Sequence, residues 1–398
     1  MLKDLSLSTV IAGFMAVLVG FSGPLAIFFQ AAQNSGASDE VLTSWIWAVC
    51  LGAGVAGISL SFWFRIPVVT AWSAPGTVLL VALFPALSIN EAVAAYITAA
   101  VVIFLIGITG LFDKVVQMIP KGIAAAMMAG ILFDFGLGVF QAMDSVPLVT
   151  SVMILGFVLF KFVSRAYFLV LMVVLGVVLS ITALDANLSQ LEWRLASPTL
   201  IMPEWSWSST LGLALPLVIV SLTGQFLPGF TILKASGYRF ASRPIVSMLS
   251  LVSIPTAFFG GITTVIAAIT ASICTSPDAH ENPDKRYWAG VANGVFYLIG
   301  GILAGSIVLF FTSFPSEMIA IIAGLALLGA ISNSLTAALE DKAHLDASLI
   351  TFMVTASGVS IFGIGSAFWG VVLGSMVYAL MGVLRARRSP EREAASSS

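Results

Sequence analysis

Charge is what this sequence holds least of. Only 9% of its 398 residues are Asp, Glu, Lys or Arg, against about 25% in soluble domains. Hydrophobic residues make up 59%, so a water-soluble fold could not cover its own surface, and bilayer solvent accounts for the composition. Cysteine and histidine occur twice each. Cys50 and Cys274 both sit in apolar stretches, which excludes a disulfide framework and any metal-ligand spacing. No basic patch exists outside short loops, so nucleic acid is not a partner. No zinc, phosphate-loop or nucleophile motif is present, and no catalytic constellation. Neither an enzyme nor a cofactor is expected. No A-x-A-like site follows Met1–Leu7, so the first apolar run reads as a span and not as a cleaved leader.

Long apolar runs are what the chain does have. Separated by charges or by Pro, Gly and Asn, they form about fourteen segments at roughly 20 residues per span. The predicted fold is an all-α polytopic membrane protein. With the N-terminus in the cytoplasm, 16 of the 17 Lys and Arg residues fall on the cytoplasmic side, and Arg194 alone does not. A wrong count would scatter these charges. A multi-pass protein of the cytoplasmic (inner) membrane with both termini in the cytoplasm is therefore expected. The external stretch 185–208 carries Trp193, Trp205 and Trp207, which suits either the membrane interface or a plain surface loop. The tail 385–398 is charged and rich in Ser and Ala, and composition predicts disorder there.

The two halves resemble each other. "IPKGIAAAMMAGILF" with Pro120 matches "FPSEMIAIIAGLALL" with Pro315, and residues 22–36 match 223–237. Seven segments per half place the second half upside down relative to the first. Such inverted repeats are typical of secondary transporters.

The third segment (Pro67–Leu87) and the tenth (Thr263–Cys274) are too interrupted for ordinary spans. Val68-Val69-Thr70 and Ile262 to Ile266 are β-branched runs that favour extended backbone. Ser73, Pro75 and Gly76 then read as a helix start. Each segment is expected to be a strand followed by a half-helix, with the two half-helix N-termini facing each other in mid-membrane. Their free N–H groups and dipoles form an anion site that needs no Lys or Arg. Trp72, Phe28, Phe29 and Phe226 are candidates for its apolar wall.

Polar residues inside spans are functional candidates, because lipid exposure is costly. Gln30 and Gln225 lie in the first and eighth segments, which are repeat mates; either amide serves a substrate or a helix–helix contact. Thr223-Gly224-Gln225 and Pro228-Gly229 predict a break in the eighth helix. Asp134 is either a proton carrier or a residue at the wet outer end of the fifth segment. His280 sits in a charged cytoplasmic loop, "SPDAHENPDKRYWAG", as a proton-entry group or as part of a solvated turn.

Several stretches carry a specific likeness: "TAWSAPGTVLL" (70–80), "PGFTILKASGY" (228–238), "AAITASICTSPDAH" (267–280), "KRYWAG" (285–290) and "VTASGVSIFGIGSAFWG" (354–370). In this ordered set, spread over the whole chain, the sequence resembles the benzoate:proton symporter family. That family is similar in architecture to the nucleobase–cation symporters and the sulfate/anion exchangers. The resemblance implies fourteen spans in two inverted seven-span repeats, with half-helices in segments 3 and 10. It implies a core domain (1–118 and 209–314) moving as an elevator against a gate domain (119–208 and 315–384). It also implies proton-coupled uptake of benzoate or a similar aromatic carboxylate, and it is compatible with a homodimer. Carried over residue by residue, the substrate site comprises Ser73, Ala74, Gly76, Gln225, Ile269 and Thr270. Gln30 and Trp72 join it from the reading of the residues themselves. One departure stands out: the family reads Gln-Asn before its Pro-Gly, and this chain has Gln225-Phe226. The alternatives are symport of a nucleobase or other small organic solute, or an anion channel or exchanger of the same architecture.

Overall fold

The computed structural model describes residues 5–84, 86–164, 167–184, 186 and 191–396, with Ile269 and 384–396 described as backbone alone. The chain is a bundle of helices crossed at its centre by one short ribbon. The helices of the first half are α1 (Leu7–Ser22), α2 (Pro24–Ser35), α3 (Asp39–Phe64), α4 (Ala74–Leu83), α5 (Ile89–Thr109), α6 (Phe112–Met118), α7 (Lys121–Gln141), α8 (Pro147–Val163) and α9 (Phe168–Ala183). The second half has α10 (Trp207–Ala235), α11 (Ser242–Ala257), α12 (Ala268–Thr275), α13 (Tyr287–Ile302), α14 (Ala304–Thr312), α15 (Ser316–Glu340), α16 (Leu345–Ala356) and α17 (Ser366–Ser396). Among the described residues, 7 helices are long and apolar enough to cross a membrane, α1 and α2 counting as one over Leu7–Ser35, and α13 with α14 makes an eighth if their 70° bend is one span. The other apolar segments are shorter than a bilayer is thick.

Two strands interrupt the helices: β1 (Thr70–Trp72) before α4, and β2 (Thr264–Ile266) before α12. They pair antiparallel, with Thr70 opposite Ile266, Ala71 opposite Val265 and Trp72 opposite Thr264. Extended backbone at membrane depth survives only if protein satisfies its polar groups. Here it does. The Thr70 hydroxyl donates to Ala53 O at 2.6 Å, Ser253 Oγ accepts from Thr264 N at 2.9 Å, and Ser61 Oγ serves both N and O of Val68 at 3.2 Å. Small residues let the helices that hold the ribbon come close: Gly54 of α3 meets Gly294 and Leu298 of α13, and Gly107 of α5 meets Ser247 of α11. Separately, α7 packs along α15 and α16, with Gly324 against the backbone of Phe135.

Three expectations change. The eighth helix does not break. It stays helical from Trp207 to Ala235 and widens into π turns at Thr210–Ala214 and Leu222–Phe226. Each π turn precedes a proline, Pro216 or Pro228, and the residue four before each is a glycine, Gly212 or Gly224. The wider turn relieves the clash of the proline ring with that carbonyl. The tail is helical as far as Ser396, because its Arg, Glu and Ala residues are good helix formers; residues 397–398 lie outside the described residues. The external stretch is a strap. Thr199 binds Ser44 of α3, Ile201 N donates to Phe258 O, Glu204 N donates to Asn90 O, and Arg194 is bonded to Ser306. It thereby joins the ends of α3, α5, α11 and α14, while Trp193 and Trp207 stay exposed.

Gly260, just before β2, has φ +82°, and a Cβ there would collide with the ring of Trp45. Gly260→Ala should therefore cost roughly 1–3 kcal/mol. The purified protein in detergent is expected to show a clearly lowered thermal midpoint; an unchanged midpoint contradicts this packing.

Candidate functional site

The ribbon places the beginnings of two short helices. Ser73 N donates to Thr263 O at 2.9 Å, and Ala267 N donates to Val69 O at 3.0 Å. The N-termini of α4 and α12 therefore stand at opposite ends of the ribbon. Four residues of strand separate them, about 13 Å. The sequence alone led us to expect them face to face, and the pairing sets them apart along the ribbon.

The two ends also differ chemically. Ser73 is buried and caps α4 itself, its Oγ accepting from Gly76 N at 3.2 Å. Pro75 has no N–H to offer. Little donor capacity is left at that end. The cap of α12 is Ala267, whose side chain can accept nothing. The first backbone bond back into this helix is Ala271 N to Ala267 O at 3.3 Å. The amides of Ala268, Ile269 and Thr270 thus precede the intrahelical ladder, and the positive end of the α12 dipole is uncovered. Thr270 is buried, and the side chain of Ile269 lies outside the described residues.

Gln225 lies alongside. Ser221, four residues before it, approaches Thr263 with its hydroxyl at 3.3 Å, and Gly229, four residues after it, packs on Ile266. The half-buried Gln225 shares their stripe of α10, over the ribbon, inside the π turn Leu222–Phe226. Its neighbour Gly224 touches Met128 of α7. The sequence reading missed Ser221, although its i,i+4 spacing to Gln225 signalled a shared face. Gln30, on α2, has a buried Oε1 without a hydrogen-bond partner. Buried polar atoms are normally paired, so an orphan acceptor beside α4 invites a ligand or water.

Other candidates move into supporting roles. Trp72 is buried, 5.8 Å from the rings of Phe21 and Phe28 and 6.1 Å from Tyr297; it backs the ribbon. Its Nε1 and the Oγ1 of its register partner Thr264 lack partners on one ribbon face. Phe29 stacks on Phe311, and Phe226 packs with Phe112 and Phe230, so neither belongs to the Trp72 cluster. A Cβ on Gly76 would lie 2.5 Å from Leu217 and 2.9 Å from Ile262. Gly76 therefore serves the approach of α4 to α10, and Ala74 precedes it in the same first turn.

The structure brings neither proton candidate to this group. Asp134 is exposed on a face of α7 shared with Phe133 and Leu137, away from Met128. His280 Nδ1 accepts from Asn282 N at 3.0 Å inside the loop after α12. The other histidine, His344, pairs with Asp341 at 2.8 Å beyond α15. Among the described residues, no group of three or more His, Cys, Asp or Glu could hold a metal ion.

A family model described as the benzoate membrane transport protein matches residues 3–380. The benzoate membrane transport protein of Acinetobacter baylyi is 55% identical over 379 residues, which is 95% of this chain and 96% of that protein. The chain belongs to the benzoate membrane transport protein family. Inner membrane protein YdcO of Escherichia coli is 38% identical over 379 residues, covering 95% of this chain and 97% of that one. Members of the benzoate membrane transport family are transporters, so this is a multi-pass membrane transporter and not an enzyme. The same fold occurs in the transmembrane domain of the cyanobacterial bicarbonate transporter BicA, with TM-score 0.61, 16% identity, and coverage of 93% of this chain and 96% of that one. It also occurs in SLC26A9, with TM-score 0.65, 12% identity, and coverage of 96% and 67%.

Gln30→Met separates fold from function. It deletes an unpaired buried acceptor, so the thermal midpoint without ligand should hold or rise. Transport should fall if the amide meets the solute. A lowered midpoint would contradict the unpaired state of Oε1.

Proposed function

We propose that this transporter takes up benzoate or a similar aromatic carboxylate together with protons across the cytoplasmic membrane. The observation that carries this reading is the uncapped N-terminus of α12, a donor set suited to a carboxylate. A helix N-terminus contributes about 0.3–1 kcal/mol to binding an anion when exposed and up to about 2 when partly buried. The carboxylate sits on the amides of Ala268, Ile269 and Thr270. The ring lies along the ribbon past Ala71 and Val265, below Gln225 and in front of the Trp72 cluster. Ser73, Ala74 and Gly76 set the far end of this slot. The high identity to a benzoate membrane transport protein supports the choice of substrate.

In this reading the elements make fourteen spans in two inverted sets of seven, with β1–α4 and β2–α12 as the broken third and tenth. Residues 1–118 and 209–314 form the moving core, and 119–208 and 315–384 form the gate. The pairing of α3 with α13 and of α5 with α11, apart from that of α7 with α15 and α16, supports this division. Both termini lie in the cytoplasm. A specific observation favours a second reading, anion exchange without protons: Asp134 and His280 stand away from the site, and the fold is that of anion transporters.

Proteoliposomes decide between them. Labelled benzoate should accumulate under an inward proton gradient; accumulation only against internal anion, without response to pH, sinks proton coupling. Ala268→Pro tests the donor set. Proline is tolerated in the first turn, and Ala267 at φ −82°, ψ 117° already suits a following proline. The variant should fold normally, lose one amide donor and raise the benzoate KM roughly tenfold. An unchanged KM removes the carboxylate from α12.

A further inference from the structure

The C-terminal end of α12 is held by a charge that the transport reading does not use. Arg286 lies in the stretch between α12 and α13 and is only 7% exposed. Its guanidinium donates to three backbone carbonyls: Nη1 to Thr275 O at 2.8 Å, Nε to His280 O at 2.6 Å and Nη2 to Glu281 O at 3.3 Å. Thr275 is the last residue of α12, so its carbonyl is one that the helix itself leaves unpaired. A buried guanidinium is costly unless its donors are used. Here they close the loop onto the negative end of the α12 dipole.

Along its length α12 packs on α1 and α10. Ala271 and Cys274 touch Ala12, Ala16 and Ala289, and the Cys274 thiol reaches Ala12 O at 3.8 Å. Eight residues span about 12 Å, so the N-terminal amides are one short rod away from Arg286. Arg286 is itself the residue from which α13 starts, and α13 is packed firmly along α3. Tyr238 braces the same loop, its hydroxyl donating to Pro283 O at 3.0 Å.

From this geometry we infer that Arg286 is a positioning residue for transport: it fixes α12 by its C-terminus so that the amides at the other end face the substrate. The inference rests on the proposal that α12 holds the carboxylate. It also accounts for the loop around His280, which is built to accept from Arg286 through backbone carbonyls. The side chains of His280 and Glu281 take no part in the clamp.

Reconstituted wild type, Arg286→Lys, Arg286→Gln and Glu281→Ala provide the test, with benzoate KM and Vmax measured per folded transporter. Lysine keeps the charge but lacks the fork that reaches three carbonyls. Both Arg286 variants should raise KM roughly tenfold, with a much smaller change in Vmax. Glu281→Ala should keep the wild-type KM, because only its carbonyl is used. A purely structural role would lower the yield or Vmax and leave KM alone; that result overturns the inference. If Arg286→Gln does not fold, Arg286→Lys decides by the same criterion. Hydrogen exchange of the amides from Ala268 to Thr275 gives a readout independent of substrate: it should quicken in Arg286→Lys, and unchanged exchange overturns the clamp. If wild type shows no saturable benzoate uptake, the substrate reading fails, and the exchange result still judges Arg286.

Discussion

Backbone that leaves the helix inside a membrane must find partners within the protein. That one constraint organises this molecule. Between Pro67 and Ser73, and again between Gly261 and Ala267, the chain gives up helical hydrogen bonding. The two stretches recover it from each other and from hydroxyls of the helices around them. The glycines of α3, α5 and α13 allow those helices close enough to do so. What the constraint leaves over is informative. Ser73 caps the start of α4, and among the described residues no side chain caps the start of α12. The fold thereby sets its unspent donors at one point of a buried crossing.

Much of this was legible in the residues, because β-branched runs, a Ser-x-Pro-Gly helix start and the lack of cations in apolar segments are local signals. The misplacements have identifiable causes. The strands begin at Thr70 and Thr264, and the β-branched pattern placed the first at Val68, because Ser61 takes up the backbone of Val68 before pairing starts. The register, which separates the two helix starts, is set between residues almost 200 positions apart, and no local pattern shows it. The packing of Gly76 against Leu217 and Ile262 is equally hidden from local sequence. For Asp134, hydropathy marks a span without telling which face of the helix meets the core. The prolines of α10 signalled a break, yet a π turn absorbs a proline while keeping the helix continuous.

BicA and SLC26A9 share the fold at 12–16% identity, so the architecture tolerates wide change of sequence. On α10, Gln225 is half-buried beside the ribbon and Phe226 is fully buried.

The central claim is that a substrate carboxylate rests on the first amides of α12. Solid-state NMR on the reconstituted transporter addresses it without mutation, through dipolar recoupling between carboxyl-labelled benzoate and nitrogen-labelled Ala268 and Thr270. A coupling corresponding to a carbon–nitrogen distance within about 4 Å is the predicted result. Saturating benzoate that shows no coupling to either amide would contradict the account.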